Sequence, residues 1–131
     1  TNGGSADEMF GMYDVMRMTK DEGVNSISTY GIGKVMSAGV LLLASGTKGK
    51  RYVGKNCRVM IHSVIGGHVG PMHQLESEFE EDKKIQDMYI RSLAEETDMT
   101  EKYLRSLLKK KTNVYLTAEE AVDLGIADEI I

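Results

Sequence analysis

Ser37 and His62 are the residues of this 131-residue chain whose types and settings point to chemistry. Ser37 follows the glycine-bearing stretch Gly31-Ile32-Gly33 and precedes the apolar run Ala38-Gly39-Val40-Leu41-Leu42-Leu43-Ala44, which stops at Gly46. A serine between such a turn and a buried helix sits where backbone N–H groups are unpaired and the helix dipole is positive. A carbonyl attacked there has its developing negative charge stabilised. The same position suits a helix N-cap, for which serine is favoured. Taken alone, the stretch reads better as a cap, because caps are far commoner than nucleophiles.

His62 closes the buried strand pattern Cys57-Arg58-Val59-Met60-Ile61-His62. At a strand end facing Ser37 it would be a general base, since imidazole titrates near neutrality. Taken alone, it reads better as a satisfied core histidine. Gly3-Gly4 also has two readings. One is a plain turn; the other is a backbone N–H that approaches a substrate closely because no side chain intervenes. His68 and His73 show no ligand spacing with any acid or cysteine, so no metal site is expected.

The elements that must position these residues read as an α/β layer fold, with strands alternating with helices. Ser5 with Glu8 matches a capping box ahead of a helix from about Ala6 to Lys20, in which Met9, Tyr13 and Met16 recur at helical spacing. A polar loop over 20–25 leads to a strand over 27–32. After Ser37 and its helix come a basic turn over 47–50, a short strand at Tyr52-Val53 and the His62 strand. Residues 63–70 are glycine-rich and irregular, and Pro71 stands at a helix start. The helix spans Met72 to Glu96, with Met72, Leu75, Phe79, Tyr89 and Leu93 on a narrow stripe. Such a stripe on a long helix suits packing against a second copy. A second helix spans Thr100 to Lys111, and an extended piece covers Val114 to Leu116. Thr117 and Glu120 form a capping box for a short helix ended by Gly125. A strand over 126–131 closes the chain.

The bulk numbers exclude several classes. The chain has 16 basic and 20 acidic residues, a net charge of −4, which does not suggest a nucleic-acid partner. Its one cysteine, Cys57, forms no internal disulfide, permits a reducing compartment, and suits a small buried apolar position. The longest apolar run, Val40 to Ala44, is too short to span a bilayer, and no signal peptide or membrane partner is expected. The length suits one domain with a modest core. A glycine turn normally follows a strand, and none precedes Thr1. The expectation is therefore a fragment, a processed product or the ordered part of a longer chain.

Four pieces, taken in order, carry a family resemblance. They are Gly3-Gly4-Ser5, the serine turn over 33–39 with Leu41-Leu42-Leu43-Ala44, Arg58-Val59-Met60-Ile61-His62, and Leu116-Thr117-Ala118-Glu119-Glu120-Ala121 with Gly125-Ile126-Ala127-Asp128. The chain resembles the proteolytic subunit of the Clp protease, the ClpP family, over nearly its whole length. The turn is not the Gly-x-Ser-x-Gly elbow of the α/β-hydrolases.

The resemblance implies a ClpP/crotonase-like fold of layered strand-turn-helix repeats, with residues 1–131 as a single peptidase domain and a protruding handle over 64–96. It implies Ser37 as nucleophile, His62 as general base, and the N–H groups of Gly4 and Ala38 as the oxyanion hole. The subunit itself needs no metal or cofactor. Two rings stack into a barrel, a tetradecamer of one chain, in the cytoplasm or an organelle matrix or stroma. A Clp-type AAA+ unfoldase, which spends the ATP, feeds it peptide or unfolded protein.

Two departures stand out. Asn113 occupies the position of the family's histidine-orienting acid, two residues before Tyr115. Asparagine can hold the imidazole but supplies no charge to imidazolium, so a slow Ser–His–Asn site is expected. Thr112 stands where the family has an arginine used in ring-to-ring contact. The family's axial loops and part of its unfoldase-docking surface would lie upstream of Thr1. Two other readings remain beside the peptidase: a ring subunit with a degenerate triad that assembles with active partners, and, ranked last, a crotonase-type enzyme acting on acyl-CoA thioesters.

Overall fold

The computed structural model describes residues 1–21, 23, 25–110 and 113–131. The elements are α1 (Ala6–Asp21), β1 (Thr29–Gly31), β2 (Lys34–Met36), α2 (Ala38–Ala44), β3 (Arg51–Val53), β4 (Arg58–His62), α3 (Met72–Glu96), α4 (Glu101–Lys110), β5 (Asn113–Leu116), α5 (Ala118–Asp123) and β6 (Glu129–Ile130). The helix end expected at Lys111, the ring contact discussed for Thr112, and Glu22 and Val24 of the 20–25 loop lie outside the described residues.

The chain is a mixed α/β protein with two small sheets. One has the order β1-β3-β6, all parallel; the other has the order β2-β4-β5, with β2 parallel and β5 antiparallel to β4. The chain passes from the first sheet to the second at Ile32-Gly33. Gly33 takes φ 72°, a conformation in which a Cβ is disfavoured. The Lys34 N–H then donates to the Ile32 carbonyl at 2.9 Å. Sequence patterning gives one strand over 27–32. The structure has a shorter β1 and a separate three-residue β2, because the glycine turn redirects the chain before either run grows long. The strand expected over 126–131 contracts in the same way to Glu129–Ile130.

Helix α2 is apolar on every side, which suits burial rather than a surface position. It packs against α1, α3, β1, β2 and β4. Val40, Leu41 and Ala44 are completely buried. Burying a side chain such as Leu41 contributes roughly 2 kcal/mol, so this short helix fixes the layer on which Ser37 stands.

Arg51 ties that layer to the rest of the molecule. It is 3% exposed and grips Asp128 bidentately along one edge of its guanidinium, Nε to Oδ2 at 2.9 Å and Nη2 to Oδ1 at 2.6 Å. Its Nη1 donates to the carbonyls of Ala44 and Glu96, at the C-terminal ends of α2 and α3. Asp128 also accepts the N–H groups of Gly49 and Arg51. The Arg51 hydrogen bond leads the causes that hold the Asp128 carboxyl down to about 2.

The stripe on α3 covers the core only near the helix end. Tyr89, Ile90 and Leu93 are buried, whereas Met72 and Phe79 are 73% and 58% exposed. The part of α3 ahead of Tyr89 instead braces the glycine-rich segment before it. Gln86 Oε1 accepts the Val64 N–H at 2.7 Å, and His68 Nε2 lies 2.8 Å from Asp82 Oδ2. The Thr117/Glu120 capping box forms in full, with Gly125 at φ 73° just past the helix. At Ser5 only the forward half forms, the Glu8 N–H donating to Ser5 Oγ at 3.4 Å. No described helix is long and apolar enough to cross a membrane.

Candidate active site

Ser37 occupies the corner between β2 and α2. Its N–H donates to the Met60 carbonyl at 2.8 Å, extending the β2–β4 ladder by one bond. Its backbone then turns sharply, with φ 55° and ψ −121°. Among the described residues it is the one non-glycine with positive φ. A conformation of this kind stores about 1–3 kcal/mol and persists only where the surroundings over-determine it. Ser37 stands at the N-cap position of α2, yet its side chain makes no capping hydrogen bond. The reading of Ser37 as a simple cap is therefore corrected. An ordinary cap has extended backbone and a hydroxyl turned onto the helix, and Ser37 has neither.

A cleft of about 160 Å³ opens beside this corner, and Ser37, Ala38, Gly4 and His62 all line it. Met9, Val64 and Ile65 give it an apolar wall. Residue Ala38 begins α2, so its N–H belongs to the first turn, where no intrahelical acceptor exists. Among the described residues neither the Ala38 nor the Gly4 N–H donates to another backbone group.

The segment carrying Gly4 lies directly on the serine. Gly3 has φ 93°, and a Cβ there would fall 2.6 Å from Ser37 Cβ and 3.1 Å from Ser37 Oγ. At Gly4 the corresponding space is open. The Thr1 nitrogen donates to the Lys34 carbonyl at 2.9 Å, and the Gly3 N–H donates to Thr1 Oγ1 at 3.0 Å. The first bond ties the segment to β2, and the second folds the segment on itself. Sequence reasoning singled out the glycine pair for close approach to a substrate. The structure adds that Gly3 is needed for approach to Ser37 itself.

His62 ends β4 and is half-buried. Its Nδ1 contacts the Ser63 carbonyl. Asn113 opens β5 and is the cross-strand partner of His62. The β4–β5 register thus brings the third expected residue next to the histidine backbone. Asn113 is nevertheless exposed and outside the cleft lining, and among the described residues no hydrogen bond joins it to the imidazole. Nor does one join His62 to Ser37.

Tyr89, from the buried half of α3, also lines the cleft and donates its hydroxyl to the Ser37 carbonyl at 3.1 Å. Burial pushes that hydroxyl above the ordinary phenol range, which keeps it a donor. The sequence reading placed Tyr89 on an apolar stripe and gave its hydroxyl no role. A signal was available, because a buried phenol must find a polar partner.

A family model described as Clp protease matches residues 1–131. The chain belongs to the Clp protease family. Membership makes it a peptidase-family chain of mixed α/β fold, and it associates the chain in general terms with ring assembly and with Clp ATPases. The match spans the serine corner, the His62 strand and α3 alike, so the cleft falls wholly within the matched residues.

Proposed function

We propose that this chain is the serine peptidase subunit of a barrel-shaped, unfoldase-fed protease, cutting peptide bonds with low intrinsic activity. Ser37 Oγ attacks the substrate carbonyl as His62 takes its proton. The N–H groups of Gly4 and Ala38 receive the developing oxyanion. His62 then protonates the leaving amine, and water attacks the acyl-serine to release the second product and restore the hydroxyl. Asn113 orients the imidazole without supplying charge. Two stacked rings of this one chain, engaging through the handle over 64–96, would enclose the sites, and a Clp-type ATPase would deliver unfolded polypeptide to them. No cofactor is required of the subunit in this scheme.

The observation that carries the reading is the uncapped serine. A strained residue at an N-cap position, with its hydroxyl unused by the helix and a histidine in the same cleft, is better explained by chemistry than by capping. The missing Ser37–His62 hydrogen bond does not oppose this, since catalytic hydrogen bonds are often long without substrate.

A second reading rests on a specific observation: the imidazole contacts the Ser63 carbonyl, and Asn113 does not reach it. On that reading the chain is a ring subunit that assembles with active partners. One experiment separates the two. A fluorophosphonate probe should label the assembled protein at Ser37 and not label Ser37→Ala. An assembled, folded protein that takes no label is the degenerate subunit.

A further inference from the structure

We infer that Tyr89 is a positioning residue for the nucleophile corner, acting through the Ser37 carbonyl to aim the Ala38 N–H into the cleft. The inference rests on the peptidase reading above.

One peptide unit joins Ser37 to Ala38. Its six atoms are held planar and trans, so the C=O and the N–H point in opposite directions and turn as one body. The orientation of the Ala38 N–H is therefore fixed by whatever holds the Ser37 carbonyl. Two donors do so: the Val40 N–H at 3.0 Å and the Tyr89 hydroxyl at 3.1 Å. The Val40 bond is local to the first turn of α2. The Tyr89 bond arrives from α3, across 52 residues of sequence, and ties the corner to a separate element.

That second tie is significant because the corner is strained. Ser37 at φ 55° and ψ −121° needs its ψ held, and ψ is the angle that sets the plane of this peptide. Tyr89 is itself poorly able to move. It is 4% exposed and sits in the same buried cluster as Ile90, Leu93 and the α2 residues Val40 and Leu41. A buried phenol in the cleft wall thus holds this peptide by its carbonyl. The substrate meets an N–H already in place, and a donor preorganised in this way is what stabilises an oxyanion without reorganisation at the moment of reaction.

Removing only the hydroxyl tests this. In Tyr89→Phe the ring remains, and the Ser37 carbonyl keeps the Val40 N–H, so folding should survive. The second-order rate of fluorophosphonate labelling at Ser37 and the peptidase kcat should each fall about five- to tenfold, the scale of one lost hydrogen bond. KM should stay within about twofold, because the cleft wall is unchanged. Tyr89→Met, which fills the core without a hydroxyl, should share the fall in kcat, while its KM is free to move. Leu104→Val serves as the stability control: it is on the buried face of α4 and outside the cleft lining, and should lower the unfolding midpoint without slowing labelling.

Labelling and kcat within twofold of wild type in folded Tyr89→Phe would overturn the inference alone. An equal slowing in Leu104→Val would also overturn it, by showing that loss of stability is the cause. A wild-type protein that takes no label overturns the peptidase reading, and this inference with it.

Discussion

Gly3→Ala should abolish most peptidase activity while leaving the fold intact. At φ 93° an alanine costs about 1–2 kcal/mol. Its Cβ would also lie 2.6 Å from Ser37 Cβ and 2.9 Å from the Met36 carbonyl oxygen. Carbon atoms in contact sit at about 3.5–4.0 Å, so one side must retreat by about 1 Å. Overpacking of this kind costs about 1–3 kcal/mol where nothing can yield. Here one side can. Ser37 is held by Met60, Val40 and Tyr89, within a buried layer. The 1–5 segment is tied to β2 by one exposed hydrogen bond, from the Thr1 nitrogen to the Lys34 carbonyl; the Gly3–Thr1 bond lies within the segment. Such a bond contributes about 1 kcal/mol net, less than the strain, so the segment moves away and carries the Gly4 N–H with it. Losing one oxyanion donor costs about 10²–10³ in kcat. The assay is peptide hydrolysis by the assembled protein, with thermal unfolding measured alongside. Gly11→Ala is the control: it lies within α1 with open space at its Cβ, and should gain up to about 1 kcal/mol of stability. A folded Gly3→Ala protein with kcat within tenfold of wild type would refute both the placement of Gly4 and the reasoning about which side yields.

Two further predictions concern charge. The Asp128 carboxyl, held at about 2 against 3.8 when unperturbed, contributes stability above the unfolded value that is lost as pH falls from about 4 to about 2. That loss should amount to about 2 kcal/mol in urea unfolding at fixed protomer concentration. Asp128→Asn should lose that share of the pH dependence, while Asp87 and Glu119, also held low, keep theirs; it should be about 3–5 kcal/mol less stable at pH 7, because Arg51 is left buried without its anionic partner, and a variant as stable as wild type at pH 7 would contradict the clamp. Asn113→Asp should raise kcat about three- to tenfold, a charge beside the imidazolium being screened at an exposed strand end. An assembled, folded variant that is no faster would show that asparagine is not what limits His62.

The helices were the most legible part of the fold. The sequence pattern and the structure agree on Met72–Glu96 for α3, and the Thr117/Glu120 box marks the start of α5 in both. These features are local: periodicity, a cap, a proline, a glycine stop. What escaped the sequence is what depends on distant partners. Strand β2 is three residues long and exists because β4 pairs with it, so no run of residues announces it. Arg51 lies beside a turn read as basic and solvated, yet it is buried against an aspartate 77 residues away. Nothing near position 51 encodes that pairing.

The same division runs through the site and explains why Ser37 was ambiguous. Read locally, a serine before an apolar helix is a cap, and its neighbours offer no reason to prefer anything else. Its unusual backbone comes from three contacts that no window around residue 37 contains. The Met60 carbonyl fixes its N–H from β4, the Tyr89 hydroxyl fixes its carbonyl from α3, and Gly3, at the start of the chain, lies against its side chain with no room for a Cβ. A cap needs none of these. Three separate elements therefore converge on one strained residue whose hydroxyl the helix does not use. Stability alone gives no reason to hold a residue in so costly a conformation, whereas a nucleophile beside a prepared N–H does.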